Sequence, residues 1–236
     1  MRAEKIPEMK SALTKGEAIA VLGYLPVHLW LLPLALGSAI GAGLVAEATG
    51  NFLLYAAGTA YMLIAAWRFL RRDFDPLCER PWHTAMEILA SYGMLLCFNI
   101  VMSLAMNLLN ARANPNNQAI VSLADENLGA ITAMAVYLAP IVEELMFRAG
   151  IFGVLRRYSR TAAYAVSMAA FSLYHVWGYA MTDAVYWLYL VQYLPVSWLL
   201  CRCYERTDSI WGSIFLHALI NGISVKAMLT LQELML

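Results

Sequence analysis

Glu143, Glu144 and Arg148 place three charges inside an apolar run that extends from Leu128 to Leu155. A run of that length is a candidate membrane span, and a charge at the centre of a span costs at least about 2.5–3.5 kcal/mol. In a helix, Glu144 and Arg148 lie one turn apart on one face and are spaced to pair, whereas Glu143 points away from that face. We therefore expect Glu143 to be the carboxylate available for chemistry.

The backbone just before Glu143 carries a further signal. Pro140 lies three residues earlier. A proline inside a helix removes one hydrogen bond and blocks the approach of the preceding turn, so the backbone here is predicted to kink or open. A kink beside a buried carboxylate indicates a cavity.

Three more polar side chains, His175, His217 and Asn221, lie within apolar segments. His217 and Asn221 are spaced by four residues and share one face of a helix. At 1.5 Å per residue, these side chains and Glu143 lie roughly 12–21 Å from the predicted cytoplasmic ends of their helices. They are thus at similar depth, where ionisable residues usually face a bundle interior or a water-filled cavity.

Each polar group also has a purely structural interpretation. Glu144 with Arg148 fits an ion pair that supports the fold, and His217 with Asn221 fits an interhelical hydrogen bond. His175 fits a satisfied core histidine, and His28, in the first apolar segment, fits a packed or interfacial residue.

Together the group suits the activation of water. A carboxylate in a low-dielectric cavity becomes a stronger base near neutral pH, and a histidine holds the water and moves its proton. Imidazole and carboxamide N–H groups donate to an oxyanion that develops on a peptide carbonyl.

The composition places the chain in a membrane. Of 236 residues, 61% are hydrophobic and 14% are charged, with a mean hydropathy of +0.61 and a net charge of +0. This balance predicts a polytopic, all-α helix bundle that contacts lipid, and it argues against a nucleic-acid partner. The four cysteines show no metal-ligand spacing and are expected to be free thiols.

Seven membrane spans are predicted, at about 18–45, 52–69, 84–109, 128–155, 161–181, 184–203 and from 210 onwards, the last capped by Asp208 or Ser209. The first run is too long for a signal-peptide core, so we expect it to remain uncleaved. Basic residues fall almost entirely on alternate connections, which predicts a cytoplasmic N-terminus and an external C-terminus. The protein is expected in the cell membrane, or in the endoplasmic reticulum membrane of a eukaryote.

The motifs resemble the CAAX-protease and bacteriocin-processing family of intramembrane proteases, also called CPBP or Abi. That family is marked by E-E-x-x-x-R, F-x-x-x-H and H-x-x-x-N on successive membrane helices. Here these motifs begin at Glu143, Phe171 and His217, and the resemblance covers about residues 128–225. One departure is that Ala149 follows the arginine, where the family often has glycine; we expect Gly150, one residue later, to affect packing and not chemistry.

The resemblance implies an endopeptidase that cleaves a peptide or a membrane-associated protein. By similarity, Glu143 is the general base, His175 its partner on the water, and His217 with Asn221 the oxyanion donors, while Glu144 and Arg148 support the site. Residues 128–236 would form the catalytic membrane core, and residues 1–127 would supply three spans that add hydrophobic bulk.

Alternatives remain open. A carboxylate with two histidines is also a set of zinc ligands, although H-E-x-x-H is absent, and we favour a metal-free mechanism without a cofactor. A non-proteolytic bacteriocin-immunity or peptide-binding protein of the same fold is a second interpretation. A proton-coupled transporter is a third.

Overall fold

A computed structural model describes residues 9 and 12–235, and every regular element within this part of the chain is helical. The predicted all-α fold is thus confirmed. Arg2, Lys5 and Lys10, which contribute to the predicted orientation, lie outside the described residues.

The N-terminal half consists of helices joined by short breaks. A capping box at Thr14 starts the first helix, because the Thr14 hydroxyl accepts from the backbone of Glu17 while the Glu17 carboxylate accepts from the backbone of Thr14. The elements are α1 Lys15–Pro26, a π-helical turn Val27–Leu31, α2 Leu32–Gly41, α3 Glu47–Ala65, α4 Trp67–Glu79 and α5 Pro81–Leu108.

The C-terminal half contains the predicted site. Its elements are α6 Pro115–Ala133, a π-helical turn Met134–Leu138, α7 Ala139–Glu144, a π-helical stretch Leu145–Phe152, α8 Gly153–Arg156, α9 Arg160–Ala180, a 3₁₀ helix Ala184–Tyr189, α10 Leu190–Thr207 and α11 Ile210–Met235. Of the two residues predicted to cap α11, Ser209 does so by accepting from the backbone N–H of Trp211, whereas Asp208 ends α10 in a left-handed conformation.

In the part of the chain that the structure describes, five helical segments are long and apolar enough to cross a membrane: Lys15–Gly41, Pro81–Leu108, Pro115–Arg156, Ala184–Thr207 and Ile210–Leu234. The count becomes six when α3 and α4, which meet at an angle of 81°, are taken together as one bent span. The remaining predicted span forms α9, which falls short of these criteria. A multi-pass membrane protein is therefore indicated, while the count of seven spans and the orientation of the termini stay predictions.

The segment that carries the charges lies in the centre of the bundle. In Pro115–Arg156, 61% of the most apolar window is buried inside the protein, against 11–28% in the other candidate spans. Helices α1, α3, α9, α10 and α11 all contact α7 or the π-helical stretch that follows it. Protein rather than lipid therefore surrounds the two glutamates, which is how a membrane bundle accommodates buried charge.

Candidate active site

One cavity of about 760 Å³ brings together the residues predicted to do chemistry. Glu143, His175, His217 and Asn221 line it, although they come from three different helical segments. Glu144 and Arg148 lie outside this lining and are completely buried. The structure thus places the six residues in one cluster, with four at the cavity and two behind it.

The two carboxylate oxygens of Glu143 have different contacts. Oε1 accepts a hydrogen bond of 3.1 Å from the hydroxyl of Tyr55, on α3. Oε2 lies 3.7 Å from Nε2 of His175 and 3.8 Å from Nε2 of His217, and it has no hydrogen-bond partner among the described residues. Both separations exceed a direct hydrogen bond. Oε2 is therefore the oxygen available to a bound molecule.

The F-x-x-x-H motif sets the orientation of His175. Its Nδ1 lies 2.9 Å from the carbonyl oxygen of Phe171, one turn earlier in α9. Because a carbonyl only accepts, Nδ1 carries the proton of the neutral ring and Nε2 keeps its lone pair. The ring also stacks on Tyr193, with centroids 4.6 Å apart. His175 therefore presents an acceptor to the cavity.

Glu144 sets the orientation of His217. Oε1 of Glu144 lies 2.8 Å from Nδ1 of His217 and 3.2 Å from Nη1 of Arg148, and Oε2 accepts a hydrogen bond from Ser213. An ionised carboxylate only accepts, so Nδ1 of His217 carries a proton and Nε2 faces the cavity. The guanidinium of Arg148 further contacts Ser197 and lies over the ring of Phe171. The predicted ion pair thus also holds a histidine of the site.

Asn221 supplies a hydrogen bond that the backbone lacks at Pro140. In the π-helical turn before α7, Ala139 donates to Met134, five residues earlier. The next bond in this register would run from residue 140 to Ala135, but proline has no N–H. Nδ2 of Asn221 donates to Ala135 instead, at 2.8 Å. The predicted opening at Pro140 is therefore a π-helical turn whose freed carbonyl is satisfied by the H-x-x-x-N motif.

A chain of hydroxyl groups, absent from the sequence-based prediction, connects Glu143 to the first helices. The Tyr55 hydroxyl lies 2.5 Å from that of Tyr174, which lies 3.1 Å from Nε2 of His28. Because Tyr55 donates its single proton to Glu143, Tyr174 must donate to Tyr55, and His28 to Tyr174. The N-terminal segment thus supplies side chains to the site and not only hydrophobic bulk.

Most of these additional residues carried no usable sequence signal. Tyr55 and Tyr174 belong to a chain with thirteen tyrosines, and nothing in their spacing relates them to Glu143. Ser213 is different, because Ser213, His217 and Asn221 follow one another at intervals of four on one face of α11. That periodicity could have extended the H-x-x-x-N motif by one turn.

The described residues do not include a set of three or more His, Cys, Asp or Glu side chains grouped to hold one metal ion. Of the four cysteines, Cys78 and Cys97 are exposed, Cys201 and Cys203 are buried, and all four are free thiols, as predicted.

Fold and site together define a multi-pass helical membrane protein with a polar cavity that contains a carboxylate and two imidazoles. Residues 126–223 match the family model described as type II CAAX prenyl endopeptidase Rce1-like. This segment contains all six predicted site residues, and the match confirms the predicted resemblance to the CAAX-protease family. No significant match was found among curated proteins or among solved structures.

Proposed function

We propose that the protein is an intramembrane endopeptidase in which Glu143 activates a water molecule against a peptide bond. The observation that carries this proposal is the convergence of Oε2 of Glu143 with Nε2 of His175 and of His217, at 3.7 and 3.8 Å, in a cavity large enough for a peptide. Separations of this size suit a bridging water oxygen.

The acceptors on Glu143 and His175 determine how a water would be oriented. A water that donates one hydrogen to Oε2 of Glu143 and the other to Nε2 of His175 directs an oxygen lone pair into the cavity. Glu143 takes one proton as the water oxygen bonds to the carbonyl carbon, which is general-base catalysis. The Tyr55 hydroxyl, donating to Oε1, holds the carboxylate so that Oε2 faces the water.

The oxyanion needs donors, and two side chains supply them in this proposal. One N–H of Asn221 is bonded to Ala135, which leaves its second N–H for the cavity. His217 donates through Nε2 only when its ring is protonated, and the carboxylate of Glu144 beside Nδ1 stabilises that imidazolium. Glu144 and Arg148 thus act as positioning residues.

Breakdown of the tetrahedral intermediate completes the reaction. The C–N bond breaks as Glu143 returns the proton it took from the water to the leaving amine nitrogen. The carbonyl carbon keeps the water oxygen as a carboxylic acid, which becomes a carboxylate when the second proton of the water passes to Nε2 of His175 and then to solvent. The amine leaves as the new N-terminus. Every step uses side chains of this chain, and no oxidant or cofactor enters the balance.

The substrate class follows from the family and the cavity. The family model names a prenyl endopeptidase, so a lipid-modified peptide or a membrane-anchored protein is the first candidate substrate. An unmodified peptide that enters from the bilayer is the second. The two are distinguished by comparing a farnesylated peptide with the same peptide without its lipid.

A cleavage assay on purified protein tests the proposal. A peptide library with farnesylated and unmodified members is incubated in detergent with wild type, Glu143→Gln and the exposed control Glu233→Gln, each with and without a chelator. We expect wild type and Glu233→Gln to cleave, with or without chelator, and Glu143→Gln not to. Loss with chelator that zinc restores would support the metal alternative. Absence of cleavage by folded wild type would support a peptide-binding or immunity protein.

A further inference from the structure

We propose that the cavity receives its substrate from the non-cytoplasmic side of the membrane, as an extended and largely uncharged peptide segment. This inference rests on the proposed peptidase function, because it takes the substrate to be a peptide. The observations that support it concern the two ends of the bundle. They are independent of the chemistry at Glu143.

One end of the bundle collects the basic residues. Arg72 pairs with Glu17 at the start of α1, and Arg156 and Arg160 pair with Glu205 at the end of α10. Arg202 and Arg206, near the end of α10, pair with Glu87 near the start of α5. These contacts fix the starts of α1, α5 and α9 and the end of α10 at one level of the bundle. We define this level as the basic end.

The opposite end holds few basic residues. Contacts there join Arg112 to Asp183, Glu126 to the start of α3 and Asp125 to α11. Among the described residues, only Arg112 and Lys226 supply positive charge near it. Cytoplasmic ends of membrane helices are enriched in lysine and arginine, so the basic end is the cytoplasmic one and this opposite end is external.

The cavity extends from the site toward the external end. Its lining includes the loop that follows α5, from Ala111 to Asn114, and the start of α6. Asn107, Arg112 and Asn117 in this lining are exposed. The mouth of the cavity therefore lies where Arg112 meets Asp183, away from the basic end.

The protein is closed between Glu143 and the basic end. Behind the site lie Glu144 and Arg148, and beyond them Phe152, Leu200 and Tyr204, each at most 1% exposed. No residue of the basic-end ion pairs lines the cavity. A substrate that approached from the basic end would have to displace this core, whereas one from the opposite end meets an open mouth.

The lining chemistry indicates what kind of segment binds. On α5, Asn99, Ser103 and Asn107 follow one another at intervals of four, and α11 contributes Asn221 and Ser224. Amide and hydroxyl groups both donate and accept, and so pair with the N–H and C=O groups of an extended backbone. The one arginine or lysine in the described lining, Arg112, is already paired with Asp183 at 2.9 Å. Backbone recognition is thus favoured over recognition of a charged terminus.

Thiol labelling in intact cells tests the side of access. Native Cys78, exposed at the end of α4, reports on the basic end, and Cys97→Ser removes the other exposed thiol. In that background, Gln118→Cys reports on the surface of the external end and Ser224→Cys on the cavity itself. A membrane-impermeant maleimide is applied before and after permeabilisation.

We expect both introduced thiols to react in intact cells and Cys78 to react only after permeabilisation. Labelling of Cys78 from outside, or of Ser224→Cys only after permeabilisation, would overturn the inference. Thermal unfolding of each variant shows that the fold is retained. These outcomes do not depend on cleavage, so they stand apart from any failure of the peptidase proposal.

A second experiment compares the rate of substrate cleavage from the two sides of the membrane. A quenched peptide cleaved by wild type in detergent is added to right-side-out and inverted membrane vesicles, with Glu143→Gln vesicles as the background. Cleavage at least tenfold faster in right-side-out vesicles is expected, with equal rates once detergent is added. Faster cleavage in inverted vesicles would overturn the inference while leaving the peptidase function intact.

Discussion

Nδ1 of His217 lies 2.8 Å from Oε1 of Glu144, and the same carboxylate is paired with Arg148 and accepts from Ser213. One buried anion therefore joins α7 to α11 and orients a histidine of the candidate site. This gives the second glutamate of the E-E-x-x-x-R motif a physical role distinct from that of the first.

Glu144→Gln tests this role. The substitution keeps the shape of the side chain but leaves Arg148 buried without its anion, so we expect a loss of about 3–5 kcal/mol in stability. The His217 tautomer is no longer fixed, and cleavage should fall by at least about a hundredfold. Thermal unfolding and kcat are measured beside Asp125→Asn, an exposed carboxylate away from the site. Equal effects of the two substitutions would contradict the role given to Glu144.

Tyr55→Phe removes the hydroxyl that donates to Oε1 of Glu143. A hydrogen bond to a charged group contributes about 1.5–3 kcal/mol, so we expect kcat to fall about ten- to a hundredfold with KM little changed. The matched control is Tyr61→Phe, on the same helix, whose hydroxyl donates to the carbonyl of Ala20 outside the cavity. A change in KM alone for Tyr55→Phe would mean that the tyrosine binds substrate and does not position the base.

Asn221 has two separable functions in this account. Asn221→Ala leaves the Ala135 carbonyl without a donor, and we expect a loss of about 1–3 kcal/mol in stability together with loss of cleavage. Adding Pro140→Ala supplies a backbone N–H in the register of that carbonyl. The double variant should regain stability but not activity. Recovery of both would contradict the oxyanion role, and recovery of neither would contradict the backbone argument.

Gly150 tests the departure from the family pattern. A Cβ at this position would meet Leu22 at 3.0 Å, and Leu145 and Val21 at 3.2 Å, so Gly150→Ala pushes α1 away from the central segment. We expect destabilisation of about 1–3 kcal/mol, with kcat per folded molecule retained. Gly178→Ala, on α9 with open space around it, is the control and should be neutral or stabilising. Equal thermal unfolding of the two variants would contradict this packing argument.

Much of the site follows from sequence because its residues are costly in a membrane. Charged and imidazole groups in apolar segments require partners, and intervals of four assign them to helix faces, so Glu143, Glu144, Arg148, His175, His217 and Asn221 were all identifiable. The all-α fold follows from the same apolar runs.

The remaining features depend on tertiary contacts that no local pattern reports. The Tyr55 hydroxyl reaches Glu143 only because α3 packs beside α7, and the Tyr174 hydroxyl reaches Tyr55 from α9, which packs beside the π-helical stretch after α7. The Ala135 carbonyl, which has no backbone N–H donor at Pro140, is satisfied by a bond that Asn221 supplies across the bundle. The number of spans is ambiguous because α3 and α4 meet at 81° and because α9 is less apolar than the other spans.

In the proposed mechanism, a water oxygen activated by Glu143 is added to the peptide carbonyl. The most direct test of this step is a single-turnover experiment in water enriched in oxygen-18. A peptide that the protein cleaves is incubated with an excess of the protein. We predict that the new C-terminal carboxylate carries one labelled oxygen and that Glu143 carries none, while Glu143→Gln gives no product. A product carboxylate without label, or label in the side chain of Glu143, would show that the glutamate attacks the carbonyl itself and would contradict the account.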